Sequence, residues 1–403
     1  MLWKVPASAI LVLVGVFIAS NISPVYDFDG PAPFSGESIY NPYSDLDTAL
    51  GWSRTNLHTH THAVKWFNEC EFYPDSVLAF YERYGYDLVT FSNHMELTGY
   101  PGDSSREVRV YEHGWNLAKH HNLVFNPAKV HYWDMALPLF RSQKQFKIDR
   151  LGKDADFVFF NHPDRTNFTD DDDMVCLTGY RLTEAVCGFS YDDTYCHKWD
   201  VALSAGHYVP SAISDDLHKP RRSDKIARRC TFLNISRPYY ADIRDALLKG
   251  RFYSMYLPDF GNGDLSVKEA ANRSLAEITD IGMRGDTVFM KLSRPAVRVE
   301  TIGQGGEVLK TLCDTSVTDF VFRPEDTYVR LTARFADSTV IFTNPFARWD
   351  GTSVSGTPYE DFGHSVDIPL TILFSLLLLA AVAGVLYLIR KCFSAGRKQD
   401  FRR

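Results

Sequence analysis

Positive charge is what this sequence is short of: 43 Lys and Arg face 50 Asp and Glu, a net charge of −7 over 403 residues. Nucleic-acid binding needs a dense basic field to neutralise phosphates, so no nucleic-acid partner is expected. No CxxC pair occurs among the seven cysteines, which argues against a thiolate zinc site. No internal repeat is present, which sets aside repeat architectures. The acidic run Asp170–Asp173 lacks the glycine and distal glutamate of a calcium loop and reads as a solvated loop. Disorder is excluded from the other side, because 45% hydrophobic and 14% aromatic content is enough to bury a large core and a smaller one.

Long apolar runs, by contrast, are present at both ends. Residues 1–22 contain "VPASAILVLVGVFIAS", compatible with a signal peptide or an N-terminal anchor. Residues 367–390 contain "IPLTILFSLLLLAAVAGVLYLI", an uncharged stretch long enough for a transmembrane helix. Arg390, Lys391, Arg397, Lys398, Arg402 and Arg403 follow it, so the tail 391–403 is expected in the cytoplasm and the body outside it, periplasmic or extracellular. Cys392 lies in that tail. The other six cysteines, Cys70, Cys176, Cys187, Cys196, Cys230 and Cys313, would meet an oxidising compartment, where an even count permits disulfides.

Between the apolar runs, residues 23–50 and 350–366 are polar, Pro/Gly/Ser-rich and read as linkers. From 51 to 258 helical patterns alternate with short apolar strands. "SVLAFYERYGYDLVTFSNH" gives a helix over 75–84, a stop at Gly85 and a strand leading to His94. "FVFFNHPDR" and "VPSAISDDLH" place His162, Asp215, Asp216 and His218 at further apolar runs' C-terminal ends, where layered α/β folds and β/α barrels collect chemistry. Residues 259–349 change character to alternating strands, as in "TVFMKLS", "VRVETIG" and "DTYVRLTARF", and predict a small antiparallel β-sandwich.

The chemistry concentrates in "NLHTHTHAVKW". Histidines on alternate residues of a strand face one side, so His58 and His60 can grip one cation, with His62 on the same face if the strand continues. With His94, His162, Asp216 and His218 the set offers imidazole and carboxylate ligands, which suit zinc, manganese or iron better than calcium. These motifs resemble the PHP (polymerase and histidinol phosphatase) metallohydrolases. "NLHTHT" is similar to the family's opening strand, "GYDLVTFSNH" to its second motif, His162-Pro163 to its histidine-proline motif and "SDDLH" to its closing one. "DTYVRLTARFADSTVIFTNPF" is similar to the sandwich tail of the branch with carbamate-cleaving members.

That resemblance implies a distorted seven-stranded β/α barrel followed by the sandwich, and a phosphoesterase using one to three divalent metal ions. His58, His60 and Asp216 would hold the first, His94 and His218 another, and His162 the one between. Three positions depart from the pattern. Val64, Lys65 and Trp66 stand where a further ligand is common, Asn93 replaces an Asp, and Lys129 stands nearest to the expected bridging Glu. Either Lys65 or Lys129 replaces a lost cation, with Lys129 joining the catalytic set, or the register shifts and His62, Glu96, His131 or Asp134 becomes a ligand, or both lysines point to solvent. Arg221 and Arg222 are candidates for a substrate phosphate. The expected substrate is a small-molecule or cell-surface phosphoester. A membrane scaffold with a degenerate site and an amide or carbamate hydrolase are the alternatives.

Overall fold

The computed structural model describes residues 4–64, 68–186, 196–360 and 362–400, the side chains of 4, 5 and 392–400 excepted. Lys65, Trp66, Cys187 and the tail residues Cys392, Arg397, Lys398, Arg402 and Arg403 therefore lie outside what can be described. The chain runs α1 (Lys4–Ser20), β1 (Tyr26–Phe28), β2 (Ser38–Tyr40), β3 (Ser53–Asn56), α2 (Pro74–Arg83), β4 (Leu88–Val89), β5 (Val110–His113), β6 (Asn122–Phe125), α3 (Arg141–Gly152) and β7 (Phe157–Phe160). It continues through α4 (Asp171–Cys176), β8 (Tyr180–Thr183), α5 (His197–Ala205), β9 (Arg229–Leu233), α6 (Tyr240–Lys249), β10 (Phe252–Tyr256) and α7 (Leu265–Asn272). The last part holds β11 (Ile278–Arg284), β12 (Thr287–Ile302), β13 (Val308–Val321), β14 (Tyr328–Arg334), β15 (Val340–Thr343), β16 (Phe346–Trp349), β17 (His364–Val366) and α8 (Ile368–Asp400).

Local chemistry sets several of these boundaries. Pro74 opens α2, where its fixed φ suits a first turn and its missing N–H would have had no helical partner. Gly206 and Gly250, at φ 103° and 77°, end α5 and α6 in left-handed caps that a side chain would strain. The acidic run forms a helix start rather than a loop: Asp170 caps α4 by accepting from the Asp173 amide at 2.7 Å, and buried Asp173 pairs with Lys144.

An eleven-stranded sheet has the path β11-β12-β14-β15-β10-β9-β3-β4, with β13, β16 and β2 attached, and a second sheet has the order β5-β6-β7-β8. The parallel pairs among the described strands are β3–β4 and β7–β8. Isolated bridges at His94↔Glu112 and Thr183↔Ser211 link the segments around the site. Among the described residues no closed barrel forms, contrary to the expectation. A β/α barrel returns every strand through a helix to a parallel neighbour, whereas β5 and β6 are antiparallel and joined by a loop. The strands expected as a separate sandwich extend the same sheet, because β15 pairs with β10 from Tyr253↔Thr343 to Tyr256↔Val340.

The core divides around this sheet. One cluster includes Tyr81, Phe232, Met255 and Ile341, another Tyr111, Phe160, Trp199 and Tyr208. The segment read as a linker over 23–50 carries β1 and β2 and buries Phe34, Tyr40 and Tyr43. β1 pairs with β17, so the ends of the body are stitched together beside α8. Ile368–Lys391 is long and apolar enough to cross a membrane, and α1 lies against α8, with Gly15 facing Val385. Cys70, Cys176, Cys196, Cys230 and Cys313 are free thiols, so no disulfide occurs among the described residues.

Candidate metal centre

His58 and His60 follow β3 in an extended segment held from both sides. The Thr90 amide donates to Asn56 O and the His60 amide to Leu217 O, each at 2.9 Å. His58 and His60 thereby face the end of β5, where Glu112 is 1% exposed. Glu112 Oε2 lies 3.3 Å from His58 Nε2, 3.2 Å from His60 Nε2 and 3.2 Å from His94 Nε2. Its other oxygen lies 2.9 Å from His121 Nδ1 and 3.3 Å from His162 Nε2. Asp216 Oδ1 completes the inner group at 3.2 Å from His58 and 3.0 Å from His60.

Three overlapping sets of ligand atoms result: His58, His60, Glu112 and Asp216; His60, Glu69, His94 and His218; and His94, Glu112 and His121. His162 closes on the Glu112 side. The sequence-predicted ligands His58, His60, His94, His162, Asp216 and His218 thus come together. Glu112, Glu69, His121 and Glu184 join them without having been singled out. Glu69 Oε2 reaches His94 Nε2 at 3.0 Å and His218 Nε2 at 3.2 Å. Glu184 holds His58 Nδ1 at 3.2 Å and accepts from the His162 amide at 3.0 Å. That contact orients the ring and leaves Nε2 for the centre.

The remaining candidates stand elsewhere, except that Arg222 lines the cavity beside Asp216 and His218. Lys129 is 66% exposed and pairs with Asp154 at 3.2 Å, so it cannot stand in for a cation at this centre. The carboxylate at the centre is Glu112, on β5, one strand before the segment that carries Lys129. His131 binds the same Asp154 at 2.9 Å, and Asp134 pairs with buried Lys147 at 3.0 Å. Glu96 accepts from the Val64 amide, and His62 binds Asn68 and packs on Tyr73. Asn93 is a tie rather than a ligand: it accepts from the Thr61 amide at 2.7 Å and donates to Thr61 Oγ1 at 2.8 Å. Arg221 lies over the Phe72 ring, and Arg222 pairs with Asp224 at 2.6 Å.

Electrostatics and strain agree on a built site. Burial alone would raise Glu112, but His94, His58 and His121 outweigh it and hold the carboxyl well below its usual range. Asp216 is likewise held low, burial being outweighed by His58 and His218. Burial would lower His58, yet Asp216, Glu112 and Glu184 raise it well above an ordinary histidine. Burial and His218 lower His60, and burial pushes His121 down to about 3 against the pull of Glu112. Two of the predicted ligands, His162 and Asp216, adopt φ of 29° and 48°. Such backbone costs about 1–3 kcal/mol per residue and persists where surrounding structure fixes it.

The donor set fits divalent cations. His58 Nε2 and Glu112 Oε2 are buried and make no hydrogen bond, although they lie 3.3 Å apart. A cation bound by both satisfies these lone pairs, where a proton serves one pair at a time. His58, His60, Glu112 and Asp216 would hold one ion, and Glu69, His94 and His218 a second. The third set, His94, Glu112 and His121, shares Glu112 with the first and His94 with the second. A cavity of about 490 Å³ adjoins the exposed side, lined by Glu69, Asp216 and His218 and by the cations Arg165, Lys219 and Arg222.

No known family model matches the chain, and no curated protein sequence matches it. Among solved structures it is similar to a two-domain protein from Bacteroides vulgatus described as containing a predicted PHP-like metal-dependent phosphoesterase. The two are 15% identical, the match covers 79% of this chain and 100% of the other, and the TM-score is 0.37. At that distance no function transfers.

Proposed function

We propose that the protein is a metal-dependent hydrolase of phosphoesters. The observation that carries this reading is Glu112, a buried carboxylate whose two oxygens face five imidazoles from four stretches of chain. Divalent cations bound there would supply a water of lowered pKa and positive charge opposite the developing anion. The chain's own residues do the rest. Glu112 and Asp216 bring negative charge between the ligand sets, and Glu184 fixes the His58 ring. His218 donates from Nδ1 to the Asp216 carbonyl at 2.8 Å, which leaves its Nε2 lone pair directed at the Glu69 side.

An anionic substrate is supported by the adjoining cavity. Arg165 lies 3.4 Å from Asp216 Oδ2 and shares the wall with Lys219, Arg222, Lys225 and Arg228. These cations suit phosphoryl oxygens better than a neutral amide or carbamate. The body stands outside the cytoplasm in this reading, supported by Arg390 and Lys391 at the end of the apolar helix and by the basic residues after them.

Hydrolysis of p-nitrophenyl phosphate and bis(p-nitrophenyl) phosphate by protein loaded with zinc, manganese or iron tests the assignment. His58→Ala with His60→Ala should abolish it. Equal rates in the double variant, or no hydrolysis by any loaded form, would overturn the reading in favour of a scaffold.

A further inference from the structure

The feature the metal centre leaves unexplained is an apolar rim between it and the two apolar helices. Trp115 and Leu117, 41% and 68% exposed, lie in the loop that joins Glu112 to His121. Leu139 and Phe140, 46% and 58% exposed, precede α3. Hydrogen bonds tie these stretches to each other and to the end of α1. The Leu117 amide donates to Ala136 O at 3.0 Å, the Ala136 amide to Ser20 Oγ at 3.4 Å, and Gln143 Nε2 to Asn21 O at 3.0 Å.

The level of this rim can be read from α8. Phe140 packs edge-on against Phe374, with ring centroids 5.8 Å apart. Phe374 is six residues beyond Ile368, the first residue of α8, hence about 9 Å along its axis. A bilayer that meets α8 at its first apolar residue therefore encloses Phe140, at the depth where interfacial apolar faces rest. At the same level a cleft of about 380 Å³ opens between α8 and the body, lined by Tyr26, Phe28, Phe140, Leu373, Phe374 and Leu377. Arg141, which also lines the cleft, is paired with Asp172 at 3.4 Å and Asp173 at 3.7 Å.

The rim is also continuous with the mouth of the metal centre. Thr166, next to Arg165, donates to the Ala118 carbonyl at 2.9 Å, so the wall of the basic cavity and the rim loop are bonded together. We propose that the rim is seated in the interfacial layer of the bilayer and that the substrate is a membrane-borne phosphoester, an amphiphile whose phosphate stands at headgroup level. Hydrolysis forms a P–O bond to water oxygen and breaks the P–O bond to the leaving alcohol, which takes up the water's proton. The substrate half of the proposal rests on the hydrolase reading above; the seating of the rim does not.

Full-length protein in phosphatidylcholine vesicles separates the two. Comparing wild type with Trp115→Phe isolates the fluorescence of Trp115, which should be quenched by at least about half in vesicles of lipids brominated near the headgroup. No difference in quenching between the two proteins overturns the seating. Trp115 shielded from aqueous iodide yet untouched by brominated lipid would mean that a protein covers the rim, which also overturns it. Leu117→Asp with Leu139→Asp should slow manganese-dependent hydrolysis of vesicle-borne phosphatidic acid and phosphatidylglycerol about tenfold, while bis(p-nitrophenyl) phosphate in the same sample changes less than about twofold. Equal effects on both, or none on either, overturn the substrate class. A wild type that hydrolyses none of these esters overturns the phosphoesterase reading and the substrate class with it, and the quenching still decides the seating.

Discussion

Glu112 carries a charge that five imidazoles share, and neutralising it should undo the centre as a unit. Glu112→Gln is expected to weaken metal binding at least about 100-fold while far-ultraviolet circular dichroism stays that of the wild type. Glu184→Gln, which frees the His58 ring without removing a ligand, should weaken it by about 10–100-fold, measured by competition with a chelator. Protons compete for the same lone pairs. His58 and His94 are raised, burial being outweighed by Asp216 and Glu112 for the first and by Glu112 and Glu69 for the second. Both shifts favour the protonated ring in the cation-free protein, so cations and protons compete for it. Affinity is expected to rise with pH above the ordinary histidine value near 6.5, with proton release visible as a buffer-dependent heat of binding. The same raised values stabilise the cation-free fold below that pH and lose this contribution as pH climbs through the folded-state values, so its melting temperature should fall there. At this scale the six ligands read from sequence stood in motifs with fixed spacing. Glu112 did not: "VRVYEH" places it after an apolar strand, and only the pairing of His94 with Glu112 shows that β5, and not the later strand near Lys129, borders the site. Glu69 and His121 lie on loops, where no period marks which side chain turns inward.

Between elements, the firmest joints involve backbone that side chains cannot replace. Gly206 ends α5 at φ 103°, and a Cβ there would come within 1.9 Å of the Ala32 carbonyl, whose own amide bonds to Ala205 O at 2.8 Å. Gly206→Ala should therefore cost about 2 kcal/mol or more, read as a lowered denaturation midpoint, by prising the belt over residues 23–50 from α5. Arg330 on β14 binds Asp200 on α5 through two bonds of 2.7 and 2.6 Å, both groups nearly buried. Arg330→Met leaves that carboxylate buried beside Tyr328 alone, an expected loss of about 3–5 kcal/mol in the same measurement. The helices α2 and α6 were legible because proline and glycine punctuate them. Strand partners were not, since alternation reports a strand without naming its neighbour. "TVFMKLS" and "VRVETIG" read as two strands but form one, β12, in which Pro295 falls within a register shift against β13 between Lys291 and Ala296. The barrel expectation failed for the same reason, as β5 and β6 alternate like parallel barrel strands yet pair antiparallel.

For the whole molecule, the basic residues from Arg390 onward carry the proposed orientation, which can be measured. In sealed membrane vesicles, protease added from the cytoplasmic side should trim only the tail beyond Lys391, whereas protease on the other side should reach the body. That Ile368–Lys391 is long and apolar enough to cross a membrane was legible from length and composition alone. That the body lies against it was not, because the contacts of Ser20 with Ala136 and of Phe140 with Phe374 join residues far apart in sequence. The central claim is that Glu112 organises a centre for several cations, and metal content per chain tests it most directly. Mass spectrometry of purified wild type and Glu112→Gln should find two or three divalent ions per wild-type chain and their joint loss in the variant. No metal in the wild type, or equal metal in both, would contradict it.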